Sequence, residues 1–396
     1  MLDAVILLAA LGRDDPGNVE LQPVQVEPAA APRDFGDQLR TQIVYVELRG
    51  LLGVLAPFRC TCWTAIAIIV LLAVSRCARR MPSATSLAGR NLELNPRLRP
   101  GPGKKEDMMT VARELAEFLA RSSPSDLPLQ AVEHAAMLIA STLASAAFGA
   151  GLESAGIIRD LARERGGRPD ASLWFHPGPK LPVADAAQVN AVASDAAASD
   201  DSDLRNIVHA GTTLVATTLA AAERTGAGGE DVLAAIVLGY EAAGRIGEAI
   251  TPGFRTRGFH GCLIAIFAGA VAAGRLLDLE AAPMAQAIAL SATSVGGLAT
   301  AANTSVAREY HAGLAAMLGV QAALAAQRGY QAEESILDTH YGFFEVYGGV
   351  EGAAAGASLI RDLGQSWDIV TDMAIKLVPG GHPHHALAEA AANAAR

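Results

Sequence analysis

Cysteine is scarce in this chain, with four in 396 residues. So few cannot staple a disulfide scaffold, and they point to a reducing compartment, here the cytoplasm. Positive charge is not in excess either. Lys and Arg total 31 against 41 Asp and Glu, a formal net charge of −10, which argues against a dedicated nucleic-acid partner. Charged residues are only 18% and aromatics only 5%. What fills the gap is small and apolar. Hydrophobic residues reach 51%, which excludes gross disorder. Ala alone supplies roughly a fifth of the chain, and it packs in small increments of area. The mean hydropathy of +0.27 reflects that Ala together with one apolar run.

The run, CTCWTAIAIIVLLAVS, covers residues 60–75, with Arg59 before it and Arg76, Arg79 and Arg80 after it. Its 16 residues fall short of the about 20 that a spanning helix needs. It also lies too far from the start for an ordinary signal peptide. Residues 1–108 hold 13 basic and 11 acidic residues, and the remainder holds 18 and 30. The body therefore carries −12 behind a leader of +2. The leader shows no sustained periodicity and includes Pro/Arg-rich linker text at 95–105, so residues 1–108 are expected to be a disordered or misassigned extension, with a start at Met108 or Met109. A membrane anchor at 60–75 is the competing reading of that segment. Cys60, Cys62 and Cys77 lack the second ligand pair of a zinc site.

From Met109 onward, helical periodicity is nearly continuous. Val111, Leu115, Phe118 and Leu119 mark the first helix. Pro124, Pro128 and a possible N-cap at Ser125 separate it from a second at 129–148. Further Ala-rich helices are expected at 152–165, 184–198, 212–225, 230–249, 263–276, 281–295 and 312–328. Gly166-Gly167, Gly226–Gly229, Gly296-Gly297 and Gly329 break them, as suits helix C-caps. Strand-like alternation occurs over 367–378, WDIVTDMAIKLV. The expected fold class is mainly α: a large all-helical domain at 109–364, followed at 365–396 by the start of an incomplete α+β lid.

Polar clusters are conspicuous against such helices. Asp200, Asp201 and Asp203 precede His209 on one loop. They could supply acid–base or metal-binding groups, or equally a solvated capping run. Arg255, Arg257, His260 and Cys262 mark a helix start, where an anion could bind or His260 could act as an acid–base group. Cys262 has no activating pattern around it. Arg308 and His311 are three apart and share a helical face. Lys376 precedes His382, His384 and His385 on a Gly-flanked loop with poor metal-ligand geometry. Asp362, Asp368 and Asp372 are spaced like surface charges. The informative set is cationic: His209, His260, Arg308, His311, Lys376 and His385. Such a set suits a small di- or tricarboxylate and could stabilise a carbanion next to a carboxylate.

These residues resemble the MmgE/PrpD family, which includes 2-methylcitrate dehydratase, cis-aconitate decarboxylase and iminodisuccinate epimerase. The resemblance runs from about Met109 to the end. It is carried by Asn190-Ala with Asp200-Asp201, His209-Ala-Gly211, Val237–Glu241 with Arg245, Arg257-Gly-Phe-His260, Arg308–Gly313, Leu324–Tyr330, Tyr341–Phe343, and Lys376 with Pro379 and His385. It implies a lyase or isomerase with a helical domain and an α+β lid, assembled as a homodimer, needing no cofactor and no metal. His209, His260, Asp200 and Asp201 would be catalytic, and Arg308, His311, Lys376 and His385 would hold substrate.

Several positions depart from the family pattern. Ala198 stands where the pattern places the leading Asp of its acidic stretch. Arg308 stands where it has Lys, Tyr310 where it has Leu, and Ala210 and Gly261 where it has Pro. The chain stops at Arg396, before the lid would be complete. A catalytically inactive or fragmentary member that keeps only the helical fold is the main alternative, and a membrane-anchored helical protein is the third.

Overall fold

The computed structural model describes residues 109–395 apart from Val295 and His382. The apolar run at 60–75 and the three N-terminal cysteines lie outside the described residues. The architecture is mainly α, as expected. The helices are α1 (Val111–Arg121), α2 (Leu129–Gly149), α3 (Glu153–Arg165) and α4 (Val183–Ala196), then α5 (Ala210–Thr225) and α6 (Gly229–Ile250). After these come the short α7 (Gly253–Thr256), α8 (Cys262–Leu276), α9 (Ala281–Thr293), the short α10 (Ala299–Thr304) and α11 (Ala307–Gln327). The described chain closes with α12 (Gly352–Leu359), the single turn α13 (Asp368–Thr371) and α14 (Pro383–Ala394). Two three-residue strands, β1 (Asp201–Asp203) and β2 (Met373–Ile375), form the only sheet among the described residues.

Local chemistry explains the element ends. The Thr110 side chain accepts from the Arg113 N–H, with Glu114 in the first turn of α1 and Arg121 in the last; cap and charges complement the orphan amides and the helix dipole. Gly226 ends α5 in a left-handed conformation, φ 76°. Pro128, not Ser125, stands at the N-cap position of α2; Ser123 caps the short 3-10 turn Pro124–Asp126 between α1 and α2, its backbone N–H donating to the Asp126 carboxylate at 2.8 Å.

The core is built from small residues. In α8 every residue except Arg275 is buried, and the helix packs on α5, α6 and α11. The inner helix α4 packs on α2, α3, α5 and α11 and is buried continuously from Ala186 to Asp195. Close crossing requires the absence of side chains at particular points. A Cβ on Gly319 of α11 would stand 3.0 Å from the Ile266 carbonyl oxygen of α8. By length and composition α2 could cross a bilayer, but Ala131, Ala135, Leu138 and Ala146 are buried in the bundle.

The late alternating run is not one strand. Trp367 and Ile369 are buried in the main core, and His134 Nδ1 on α2 lies 2.9 Å from the Ile369 carbonyl. Its first half therefore turns as α13, and only 373–375 pair as β2. The register is antiparallel, Asp201 opposite Ile375, Ser202 opposite Ala374 and Asp203 opposite Met373. Asp368 is no surface charge, since it is 7% exposed with its carboxyl packed against Gly244.

Candidate active site

The strand pair brings together groups that lie 176 residues apart in the chain. Lys376 follows β2 directly, and its Nζ stands 3.0 Å from Asp200 Oδ1, with both side chains essentially buried. His209 Nδ1 lies 3.0 Å from the other carboxylate oxygen, 2.7 Å from the Asp201 carbonyl and 2.9 Å from Ser202 Oγ. An Arg308 guanidinium nitrogen stands 4.0 Å from Asp200 Oδ1. Three cationic groups thus surround one carboxylate. Burial alone would raise the Asp200 pKa, but His209, Lys376 and Arg308 outweigh it and hold the carboxyl well below its ordinary range. Burial would lower the His209 pKa; Asp200 reverses that and leaves it raised. Each group of the Asp200/His209 pair thus favours the charged form of the other.

Asp201 faces the other way. It accepts from Tyr240 Oη at 2.7 Å and from the Gly211 N–H at 3.0 Å. A Cβ on Gly211 would sit 2.6 Å from the carboxylate, so glycine at the start of α5 is what lets the side chain reach the helix amide. Burial, aided by the Asp200 charge, pushes the Asp201 pKa up to about 6 despite these donors. Asp203 closes the turn behind β1, where the Asn206 amide donates to it at 2.6 Å. None of the three acids is a solvated cap.

Arg308, in the first turn of α11, also bonds Asp195 of α4, with Nε 3.1 Å from Oδ2 and a further bond to the Asp195 carbonyl. Asp195 was not among the residues expected at the site. The signal for it was an acid at the end of the run Ala186–Asp195, whose other residues are Ala, Val, Ser, Gln and Asn and are all buried. Its pKa is raised, chiefly by burial, against the pull of Arg308.

His260 and His311 form a second cluster. Their ring centroids are 5.3 Å apart, and Nδ1 of each is buried without a hydrogen-bond partner. Burial first, then the positive charge of His311, His209 and Arg308, lowers the His260 pKa to about 3, so its ring is neutral at physiological pH. His385 lies in the first turn of α14, half-buried. The chain just before it is tied to the site where the Gly380 N–H donates to the Ala198 carbonyl at 2.8 Å. Ala198 itself is left-handed, φ 52°.

The open cleft lined by Thr225, Gly226, Asp231, Arg275 and Asp278 takes no part in this. It lies at the far end of α5, about 22 Å from His209 along the helix axis.

Comparison with known proteins identifies relatives of the chain. A family model, the MmgE/PrpD N-terminal domain, matches residues 113–354. Cis-aconitate decarboxylase of Aspergillus terreus is 28% identical over 274 residues, covering 66% of this chain and 55% of that protein. Cis-aconitate decarboxylase-like protein oryM of Aspergillus oryzae is 28% identical over 246 residues, covering 59% of this chain and 50% of that protein. The chain spans about half the length of these curated relatives. Lys376 falls outside the matched stretch 113–354.

Proposed function

The chain belongs to the MmgE/PrpD family, and from that premise we propose that it is a lyase of the dehydratase or decarboxylase type, acting on a small di- or tricarboxylate such as cis-aconitate or 2-methylcitrate. The observation that carries this reading is the enclosure of Asp200 by Lys376, His209 and Arg308. One buried carboxylate orders three cationic groups, whose remaining N–H bonds and surplus positive charge suit substrate carboxylates.

In this reading Arg308 and Lys376 hold the carboxylates and stabilise charge on the carbon beside one of them. Arg308 cannot serve as a base, since its guanidinium stays protonated. In a dehydration, neutral His260 takes the proton from that carbon; in a decarboxylation the departing CO2 leaves its electron pair on the carbon and no proton is removed. His209, with Nδ1 fixed by its neighbours, donates from Nε2: to a leaving hydroxyl in a dehydration, or to the carbanion carbon after loss of CO2 in a decarboxylation. Asp200 keeps His209 protonated and oriented. Asp201 anchors the start of α5, so it positions His209 without meeting the substrate. His311 and His385 complete the carboxylate contacts. A homodimer working in the cytoplasm belongs to the same proposal.

A second reading, an inactive member that retains the fold, is favoured by one feature: Ala198 carries no carboxylate where the family pattern has one. Turnover assays on cis-aconitate, 2-methylcitrate and citrate, with His209→Asn as control, test the two. Turnover lost in the variant supports the lyase. No turnover from folded protein, with thermal stabilisation by the same acids, supports the inactive binder.

A further inference from the structure

We propose that His260, Cys262 and His311 form a binding site for a divalent zinc-type cation, which departs from the expectation that the protein needs no metal. The three side chains come from the loop before α8, the first residue of α8 and the first turns of α11. One ligand atom from each lies within 4.8 Å of the others. Around a tetrahedral zinc such atoms sit about 3.3–3.6 Å apart, so modest side-chain rotations suffice. Two imidazoles and a thiol are the donor set that borderline cations prefer over Mg²⁺ or Ca²⁺. Three protein ligands leave the fourth position open to water or a carboxylate.

Two observations besides the clustering point to a missing ligand. First, the Nδ1 atoms of both His260 and His311 are buried and unpartnered. Buried polar atoms are rarely left so, because each unmade bond costs about 1–3 kcal/mol. Second, the space between the donors is kept clear by Gly297. A Cβ there would stand 2.6 Å from Cys262 Sγ and 3.1 Å from His311 Nδ1. The frame around that space is fixed. The His260 N–H donates to the Gly297 carbonyl at 3.0 Å, Phe259 bridges Leu298, and the Ala299 N–H donates to the Gly258 carbonyl at 2.9 Å. The Cys262 thiol points to the Gly296 carbonyl at 3.0 Å. On binding, the S–H bond breaks, its proton passes to solvent, and the thiolate sulfur bonds the cation. With the cation present, His260 is a ligand and cannot take a proton, so the cation-bound chain is a state in which the proposed lyase chemistry is blocked, and the inference does not depend on that chemistry.

The test is Co²⁺ and Zn²⁺ titration of the full chain after chelator treatment. One Co²⁺ per chain should bind with a thiolate-to-cobalt charge-transfer band in the near ultraviolet, and Zn²⁺ should displace it. Cys262→Ser should remove the band and His311→Gln should weaken binding about a hundredfold, with unliganded melting curves checking that each variant folds. Independently of any variant, Zn²⁺ should slow alkylation of the Cys262 peptide, followed by mass spectrometry, about tenfold or more. A band that survives in Cys262→Ser, or alkylation of Cys262 unaffected by Zn²⁺, overturns the proposal. None of these readouts measures turnover. A chain that is inert toward cis-aconitate after chelator treatment and still shows the Cys262-dependent band on Co²⁺ addition would defeat the lyase reading alone.

Discussion

At Ala198 two facts meet: a left-handed backbone, φ 52°, and the absence of a carboxylate that the family pattern supplies. A left-handed Ala costs about 1–2 kcal/mol, whereas Asp and Asn visit that conformation more readily. Ala198→Asp is therefore expected to leave stability unchanged or slightly higher. If the position contributes acid–base chemistry, turnover of cis-aconitate should rise about a hundredfold. A folded variant with no gain would remove that carboxylate from the mechanism. Tyr240→Phe tests the neighbouring acid. Its hydroxyl is the side-chain donor to the buried Asp201, and deleting it should cost about 1–3 kcal/mol in urea unfolding. A cost within error would mean that the Gly211 amide alone satisfies Asp201.

The helices were legible in the sequence because small apolar residues at helical spacing leave little choice of structure. The expected segment 230–249 is Gly229–Ile250 in the structure, and 263–276 is Cys262–Leu276. The strand pair was legible only in part. Alternation over 367–378 marked an extended segment, but three residues pair, because Trp367 and Ile369 find the core first. Pairing partners 170 or so residues apart leave no local trace, so neither the partner of β2 nor the contact of Lys376 with Asp200 could be read in advance. Remote partners also explain why Asp368 read as a surface charge, 127 residues from Glu241, and why Asp195, 113 residues from Arg308 on α11, went unnoticed. At this junction Lys376→Met should destabilise the fold by about 3–5 kcal/mol, because Asp200 loses a partner while staying buried. The double variant Asp200→Asn/Lys376→Met should recover most of that loss in urea midpoints. If the double variant is no more stable than the single, the ion pair is not the source of the cost.

Across the bundle, the buried acids set how stability follows pH. Asp201 is raised to about 6. Asp368 is raised to about 8 by burial and then by the Glu241 charge, with Arg205 opposing. An acid whose folded pKa is raised holds its proton more tightly when folded, so stability falls as pH climbs from its unfolded value through the folded one. His209, raised by Asp200, acts in the same direction: its contribution is complete below its unfolded pKa and is lost on further rise. Asp200, held low, contributes above its unfolded value and loses that contribution on acidification. The melting temperature should therefore peak at about pH 4–6 and decline toward pH 8 and above. Asp368→Asn should flatten the alkaline decline. A melting temperature that climbs steadily from pH 5 to pH 8 would contradict these assignments.

The β1–β2 pairing also makes the site a timed structure. The Leu204 N–H donates to the Asp372 carbonyl at 2.9 Å, and the Gly380 N–H to the Ala198 carbonyl at 2.8 Å. These two bonds flank the point where Lys376 meets Asp200, and each joins segments remote in the chain. Deuterium uptake at those two amides is thus a clock for undocking of the late segment, distinct from global unfolding. If they exchange together, and much faster than the amides of α8, the Lys376 side of the site opens and recloses as one unit on its own schedule. A bound polycarboxylate would slow both amides by the same factor while leaving the deep helices untouched.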